Sequence, residues 1–136
     1  MPIRQFITGP ITVDPVTVGG TVSGSATVCS GANSGNLTLS GHTGNILRWE
    51  YSSDGGVTWV NIANTTTTQT YSNLTTTTMY RAVVKSGICP SANSSPATIT
   101  VDPVTVGGTV SGSATVCSGA NSGILTLSGY TGTILR

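Results

Sequence analysis

The chain has 136 residues, of which 7% are charged and 5% are aromatic, and its formal net charge is +1. This length allows one ordinary domain, or one small domain and part of another. The charge excludes nucleic acid as a partner, because such a partner requires a basic surface that neutralises phosphates. No apolar run is long enough for a membrane-spanning helix. Strong helix formers are scarce and Val and Thr are abundant, which predicts an all-β fold.

Short segments of β-branched or alternating residues, separated by turns rich in Gly, Asn and Ser, predict the strands. In chain order, the predicted strands are residues 16–22, 25–29, 36–40, 46–52, 57–62, 68–72, 78–86 and 96–103. Side-chain alternation directs Arg48, Glu50 and Arg81 outward. It places six residues in the predicted core, namely Leu37, Leu39, Leu47, Trp49, Tyr80 and Val84. Strands of this length and spacing predict an antiparallel β-sandwich.

One segment of the sequence occurs twice. Residues 99–136 repeat residues 11–48 at an offset of 88 residues, with 35 of 38 positions identical. This period has the size of a small β-sandwich domain and indicates a tandem repeat whose units contact only their neighbours. We expect residues 1–16 to end a preceding repeat, residues 17–104 to form a complete domain, and residues 105–136 to begin the next, truncated repeat.

The second copy has no counterpart of residues 49–98, which leaves its apolar face without covering strands. Two strands alone are marginally stable in water. Either the sequence is a window on a longer array, or another chain completes the second copy by adding strands. The sequence Val-Asp-Pro-Val occurs at residues 13–16 and again at residues 101–104. Because proline restricts φ and removes a donor, these two linkers are expected to be short and stiff.

Two aromatic residues resemble the hallmarks of immunoglobulin-like sandwiches, namely Trp49 in the third core strand and Tyr80 in the sixth. In such domains the Tyr hydroxyl ties down a turn, and an inter-sheet cysteine stands at the position of Ala82. The fuller pattern is W-x-Y-S-S-D-G-G-x-T-W, then T-x-Y-R-A-x-V-x-S-G-x-C, then T-I-T-V. It is similar to the immunoglobulin-like repeats of large surface adhesins and secreted proteins of Bacteroidota, including gliding-motility adhesins exported by type IX secretion. The resemblance implies an extracellular or cell-surface location.

The cysteine count predicts a disulfide framework. One period contains Cys29 and Cys89, and Cys117 repeats the position of Cys29. We expect one disulfide per repeat, between Cys29 and Cys89, which would stabilise the domain by about 4 kcal/mol in the chain-entropy model. Cys117 would then pair outside this sequence, and the compartment would be oxidising. Zinc requires four clustered ligands, which widely spaced cysteines and one His do not provide, so we expect no metal and no cofactor.

A turn motif of the form S-x-D-x-G-x-T-W is formed by Ser52, Asp54, Gly56, Thr58 and Trp59. It resembles the Asp-box of sialidases and of many secreted β proteins, where the motif holds a hairpin turn and does no chemistry. Asp54 is expected to accept hydrogen bonds from backbone N–H groups of the turn, and the glycines permit positive φ. With four carboxylates in the whole sequence, a calcium site is not expected.

The sequence predicts a structural protein and not an enzyme. No catalytic triad or carboxylate pair can be assembled, and the single histidine, His42, is replaced by Tyr130 in the second copy. The favoured function is a disulfide-stapled spacer in an extracellular bacterial stalk, filament or adhesin, with neighbouring repeats as partners. Two alternatives remain open. One is a carbohydrate- or surface-binding module that uses Trp59 and Tyr71, and the other is a homo-oligomer that forms a fibre by strand complementation.

Overall fold

The protein is described by a computed structural model that covers residues 9–136, and its fold is all-β. Residues 1–8, in the segment expected to end a preceding repeat, lie outside the described part. The strands are β1 (Thr21–Ser23), β2 (Ala26–Cys29), β3 (Ser34–Ser40), β4 (Asn45–Ser52), β5 (Val60–Ile62), β6 (Thr68–Ser72), β7 (Thr78–Lys85), β8 (Ala92–Asn93), β9 (Ala97–Asp102), β10 (Thr109–Ser111) and β11 (Thr126–Ser128). Nowhere in residues 9–136 is there a helix of the length and apolarity needed to cross a membrane.

Strands β1 to β9 form two sheets that pack face to face. The smaller sheet has the order β1-β3-β6, and the larger has the order β2-β9-β7-β4-β5, with β8 paired to β7. All pairs are antiparallel except β2 with β9, which are parallel. The expectation of a purely antiparallel sandwich is therefore corrected to a mixed one, because β2 joins the edge of the sheet beside the last strand of the unit.

The core lies between these two sheets and is built from both. Trp49 is fully buried, and its Nε1 donates to the carbonyl oxygen of Thr66 at 2.8 Å, which satisfies its one polar group. The Tyr80 ring lies between two others, with ring centres 6.3 Å from Tyr51 and 6.4 Å from Tyr71. The cluster comprises Val22, Leu37, Leu39, Ile46, Trp49, Tyr71, Tyr80, Ala82, Val84, Ala97 and Ile99.

Leu47 does not lie in the core, contrary to the expectation from alternation. The pairing of β4 with β7 shifts register between Ile46 and Arg48, which makes Leu47 the extra residue of a β-bulge. The bulge turns Ile46 and Trp49 inward, three positions apart, and leaves Leu47 43% exposed. The alternation of apolar and polar residues does not predict a β-bulge.

The outward face of β4 is also more covered than alternation suggests. Glu50 is only 4% exposed, although its strand neighbours Trp49 and Tyr51 point to the opposite face. Two further differences concern the positions of strands. Residues 57–59 lie before β5 and outside any strand, and the short strand β8 falls in a segment where no strand was expected.

The second copy repeats the opening pairing of the first. Thr109 pairs with Ser128 as Thr21 pairs with Ser40, at an offset of 88 residues. Its apolar side chains are exposed, however: Val110 is 59% exposed, whereas Val22 at the equivalent position is 4% exposed. The same local pairing therefore forms with and without the strands that bury it.

Strand β7 runs the length of the larger sheet between β4 and β9. Its first residue, Thr78, pairs with Ile99, and the last three residues of β9 extend past this pair. Its last residue, Lys85, pairs with Asn45 at the start of β4. At about 3.3 Å per residue, the eight residues of β7 separate the two ends of the sandwich by roughly 26 Å. The loops and linkers at one end of the sandwich are therefore remote from those at the other end.

A matched pair of substitutions measures the effect of the bulge. Leu37→Ala should lower the free energy of unfolding by about 2–5 kcal/mol, because Leu37 is fully buried and the truncation leaves a cavity. Leu47→Ala removes the same atoms from the bulge and should cost less than about 1 kcal/mol. Urea unfolding followed by tryptophan fluorescence gives both values. Equal losses at the two positions would contradict the placement of Leu47 outside the core.

Candidate functional site

The hairpin turn after β4 is held by the side chain of its last residue. The Ser52 hydroxyl donates to Asp54 Oδ1 at 2.6 Å and accepts the backbone N–H of Gly56 at 2.9 Å. Ser52 is buried, so this hydroxyl anchors the exposed turn to the end of the strand. The turn itself requires glycine, because Gly55 and Gly56 have φ values of 76° and 89°.

The Asp54 carboxylate is occupied by donors of its own turn. Oδ1 accepts the backbone N–H groups of Val57 at 3.0 Å and Thr58 at 2.9 Å, and Oδ2 accepts the Thr58 hydroxyl. The hydrogen bonds from Ser52 and Thr58 hold the pKa of Asp54 well below its usual range. The motif is thus a self-contained turn. Among residues 9–136 there is no group of three or more His, Cys, Asp or Glu side chains that could hold a metal.

Trp59 is covered by an arginine that belongs to an ion-pair cluster. The guanidinium carbon of Arg81 lies 3.9 Å from the Trp59 ring centre, and its Nε donates to Glu50 Oε2 at 2.7 Å. Arg48 donates to Glu50 Oε1 at 2.9 Å. Burial raises the pKa of Glu50, but the hydrogen bonds from Arg81 and Arg48 outweigh it and the pKa is lowered. Glu50 therefore ties β4 to β7 and holds Arg81, which covers one face of Trp59.

Trp59 and Tyr71 do not form a ligand platform, contrary to that alternative. Tyr71 lies in β6 of the smaller sheet and is 8% exposed, with its ring in the core beside Tyr80. Trp59 lies at the start of the hairpin's return strand, against Arg81 of the larger sheet. The carbohydrate-binding alternative named both residues, and the sequence carries no information on which sheet each would join.

One groove lined by aromatic residues lies where β6 faces β4 and β5. It has a volume of about 450 Å³, and Tyr51, Tyr71, Tyr80, Ile62 and Thr78 are among its lining residues. Burial raises the pKa of Tyr80 here, helped by the adjacent Tyr51 and Tyr71. Because Tyr71 and Tyr80 are each less than a tenth exposed, only Tyr51 offers a ring to a ligand.

The N-terminal linker, residues 13–16, is clasped by the loop that follows β7. Asp14 Oδ2 accepts the backbone N–H of Ile88 at 3.1 Å, and the Cys89 thiol donates to the carbonyl oxygen of Pro15 at 3.4 Å. Gly87 has a φ of 48°, and a Cβ at this position would overlap the Asp14 carboxylate. Sequence reasoning identified the linker and its proline but not this loop as its partner.

Further contacts fasten the two residues that follow the linker. The Thr17 hydroxyl accepts the backbone N–H of Ser86 at 2.9 Å, and Val18 and Thr43 exchange backbone hydrogen bonds of 3.2 and 2.9 Å. The N-terminal linker and the two residues that follow it are therefore fastened to the end of the sandwich where β7 terminates, through Asp14, Pro15, Thr17 and Val18. Backbone donors supply most of these contacts, which a pattern of side chains does not reveal.

The C-terminal linker, residues 101–104, leaves from the opposite end. Asp102 is the last residue of β9, and its Cα partner in the parallel strand β2 is Cys29. The carbonyl oxygen of Asp102 accepts the backbone N–H of Ser30 at 2.9 Å. This end also carries a hollow of about 640 Å³, lined in part by Val28, Cys29, Asn33 and Asn73.

The expected Cys29–Cys89 disulfide does not form within the unit. All three cysteines are free thiols, and Cys29 and Cys117 are exposed. Cys29 lies at the end of the sandwich beside Asp102, and Cys89 lies at the other end beside Pro15. Bridged cysteines have Cα atoms at most about 7 Å apart, whereas β7 alone separates these ends by roughly 26 Å. Counting two cysteines per period did not establish that they share an end.

These features define an all-β, sandwich-like unit with a linker at each end. Residues 18–103 match the family described as Domain of unknown function (DUF8696), and the chain belongs to this family. The matched residues begin just after the N-terminal linker and end within the C-terminal one. No curated protein matches the chain.

The decline of folding stability at acid pH tests the role of Asp54. Its folded pKa lies below the unfolded value of about 3.9, so the unfolded state binds more protons between these two values. The contribution of Asp54 is thus fully present above about pH 4 and is lost as the pH falls toward the folded pKa. Asp54→Asn should lower the urea midpoint at pH 7 and flatten its decline between about pH 4 and pH 2.

The control for this measurement is Asp102→Asn, which changes an exposed carboxylate outside the turn. It should leave the decline of the urea midpoint below pH 4 as steep as in the unmodified chain. A decline of unchanged steepness in Asp54→Asn would show that the turn does not depend on the ionised carboxylate.

Proposed function

We propose that the chain is a structural repeat of an extracellular bacterial stalk, filament or adhesin. In this proposal each 88-residue unit is an immunoglobulin-like domain that acts as a spacer, and neighbouring units are its partners. The observation that carries the proposal is the position of the linkers, which join the unit at opposite ends of its long axis. A unit connected in this way extends the chain with every copy.

The separation of the two linkers follows from the sheet. The N-terminal linker is held by the loop after β7, and the C-terminal linker continues β9, which runs antiparallel to β7. One linker therefore lies where β7 ends and the other lies beyond the residue where β7 begins. Copies joined through such linkers stack end to end, and each contacts only its neighbours.

The fastening of the N-terminal linker supports a stiff junction. Asp14 is equivalent to Asp102 in the repeated sequence, so it represents the last residue of a preceding unit. Its carboxylate is held by the backbone of Ile88, and Pro15 restricts both its own φ and the backbone conformation of Asp14 before it. A junction held by the next unit over several residues resists bending better than a free tether of the same length.

The exposed apolar side chains of the second copy support the same proposal. Val110, Leu125 and Ile134 are 59%, 69% and 58% exposed, whereas Val22, Leu37 and Ile46 at the equivalent positions are buried. Burying these side chains requires strands equivalent to β4 to β9. In the proposed array each complete unit has these strands itself, and in a strand-complemented fibre another chain supplies them.

The extracellular location and the immunoglobulin-like class rest on the sequence resemblance and on the composition. Because only 7% of the residues in the chain are charged, few sites are available for ionic interactions, which suits an inert spacer. A carbohydrate-binding role receives less support, because only one ring of the tyrosine-lined groove is accessible. Tyr51→Ala with glycan-array binding tests that role directly, since a binder loses its ligand and a spacer does not.

Scattering from arrays of defined length tests the proposal. Proteins with two, three and four copies of residues 11–98, in which residues 99–104 follow the last copy and complete its β9, should be elongated monomers in solution. Each copy should add a constant increment of roughly 35 Å to the maximum dimension. This is the length of the eight residues of β7 and the three residues of β9 that extend past it, at about 3.3 Å each. Small-angle X-ray scattering measures this increment. A maximum dimension that grows as the cube root of the copy number would contradict an end-to-end arrangement.

A glycine pair tests the stiffness of the junction. Gly87→Ala places a Cβ against the Asp14 carboxylate, while Gly55→Ala adds the same atom in open space, and both glycines have positive φ. Each variant should lose about 1 kcal/mol of stability through backbone strain. Only Gly87→Ala should also shorten the mean end-to-end distance of a four-copy array in scattering. Identical distances for the two variants would show that the Asp14 contact does not stiffen the junction.

A further inference from the structure

Cys29 lies at the C-terminal end of the unit and is close to the linker that leaves it. It is the last residue of β2, it is exposed, and its Cα partner is Asp102. The next residue, Ser30, donates its backbone N–H to the carbonyl oxygen of Asp102 at 2.9 Å. The Cys29 backbone thus lies beside Asp102 at this end.

Cys89 lies at the N-terminal end of the unit and is close to the linker that enters it. Its Sγ is 3.7 Å from the carbonyl oxygen of Asp14 and 3.4 Å from that of Pro15. Cys89 is half-buried, and its backbone N–H is fixed by the carbonyl of Ser86 at 2.8 Å. The Asp14 carbonyl oxygen therefore marks the position of the Cys89 thiol at the other end.

The repeated sequence makes these two oxygens equivalent. Asp14-Pro15 and Asp102-Pro103 are the same residues of the Val-Asp-Pro-Val linker in successive copies, 88 positions apart. A following unit that clasps Asp102 as this unit clasps Asp14 places its own copy of Cys89 against the Asp102 carbonyl. Cys29 already lies beside that residue. The two cysteines then lie at the same linker residue.

We propose that Cys29 of one unit forms a disulfide with the Cys89 equivalent of the following unit, which staples each junction of the array. This inference rests on the proposed end-to-end arrangement. The hollow of about 640 Å³ beside Cys29 is the space that receives the cysteine loop of the following unit, equivalent to residues 86–89. Neighbouring residues on parallel strands are about 4.8 Å apart, so the Cys29 Cα begins within reach of a thiol seated on Asp102.

This pairing accounts for all three cysteines. Each unit contributes Cys29 to the junction that follows it and Cys89 to the junction that precedes it. Cys117, the second copy of Cys29, serves the next junction in the same way. The two cysteines of one period thereby belong to two different disulfides, which explains why they lie at opposite ends of the same sandwich.

The bond forms by thiol–disulfide exchange with a small-molecule disulfide such as oxidised glutathione. The Cys29 thiolate attacks one glutathione sulfur and releases the first glutathione as a thiolate. The thiolate of the Cys89 equivalent then attacks the Cys29 sulfur of this mixed disulfide and releases the second glutathione. The two protons lost by the cysteines reside on the two reduced glutathione molecules, so the cysteines are oxidised and glutathione disulfide is reduced.

The test uses the full chain lengthened after Arg136 by a second copy of residues 49–104, so that the junction at Asp102 is complete. The protein is incubated at low concentration with reduced and oxidised glutathione, quenched with acid, alkylated and digested with trypsin. Mass spectrometry should find residues 5–48, which contain Cys29, joined to the peptide with the second copy of Cys89, with the loss of two hydrogens. Cys89 and Cys117 should be alkylated.

Three controls bear on the assignment. Cys29→Ser should abolish the linked peptide, and Cys89→Ser in the first copy should leave it unchanged. The unlengthened chain should show no link between Cys29 and Cys89 in the same buffer, because the two lie at opposite ends of the unit. A link between residues 5–48 and residues 86–136 in a monomer, or four alkylated cysteines in the lengthened chain, would overturn the proposal.

Scattering from the same lengthened protein separates this proposal from the one it rests on. An elongated two-unit particle whose cysteines are all alkylated would overturn the disulfide and leave the spacer function standing. A compact particle with alkylated cysteines would overturn both. An elongated particle with the linked peptide supports both. Its reduction should then shorten the mean end-to-end distance, since the junction loses its covalent staple.

Discussion

The organisation of the molecule depends on β7, the long central strand of the larger sheet. It pairs with β4 and β9, and its inward residues Tyr80, Ala82 and Val84 form part of the core against the smaller sheet. Because a strand has a fixed rise per residue, β7 also sets the distance between the ends of the unit. The two linkers and the two cysteines of one period are placed relative to each other by this single element.

The polar contacts of the unit follow the same division between middle and ends. In the middle, Glu50 binds Arg48 and Arg81, and Arg81 covers Trp59. At the turn after β4, the Asp54 carboxylate accepts hydrogen bonds from backbone N–H groups of the same turn. At the N-terminal end, Asp14 is held by the loop after β7. The carboxylates Asp14, Glu50 and Asp54 each stabilise a local arrangement, which leaves little charge for binding a ligand.

Much of the fold could be predicted because hydrophobic alternation records which face of a strand is buried. Leu37 and Trp49 are inward as the pattern indicates, and the turn of Asp54 follows from a local motif of eight residues. Leu47 is exposed because a bulge adds one residue that alternation does not register. Tyr71 is buried because β6 joins the smaller sheet, and no local signal specifies which sheet a strand joins.

The sequence by itself determined the all-β class, the 88-residue period, the linkers and the hairpin turn, since each depends on residues close together in the chain or on direct repetition. Only the tertiary structure decided that Cys29 and Cys89 lie at opposite ends, that the loop after β7 clasps Asp14, and that β2 runs parallel to β9. These are relations between residues up to 75 positions apart. Such relations arise from the order of strands in a sheet, which composition and spacing do not contain.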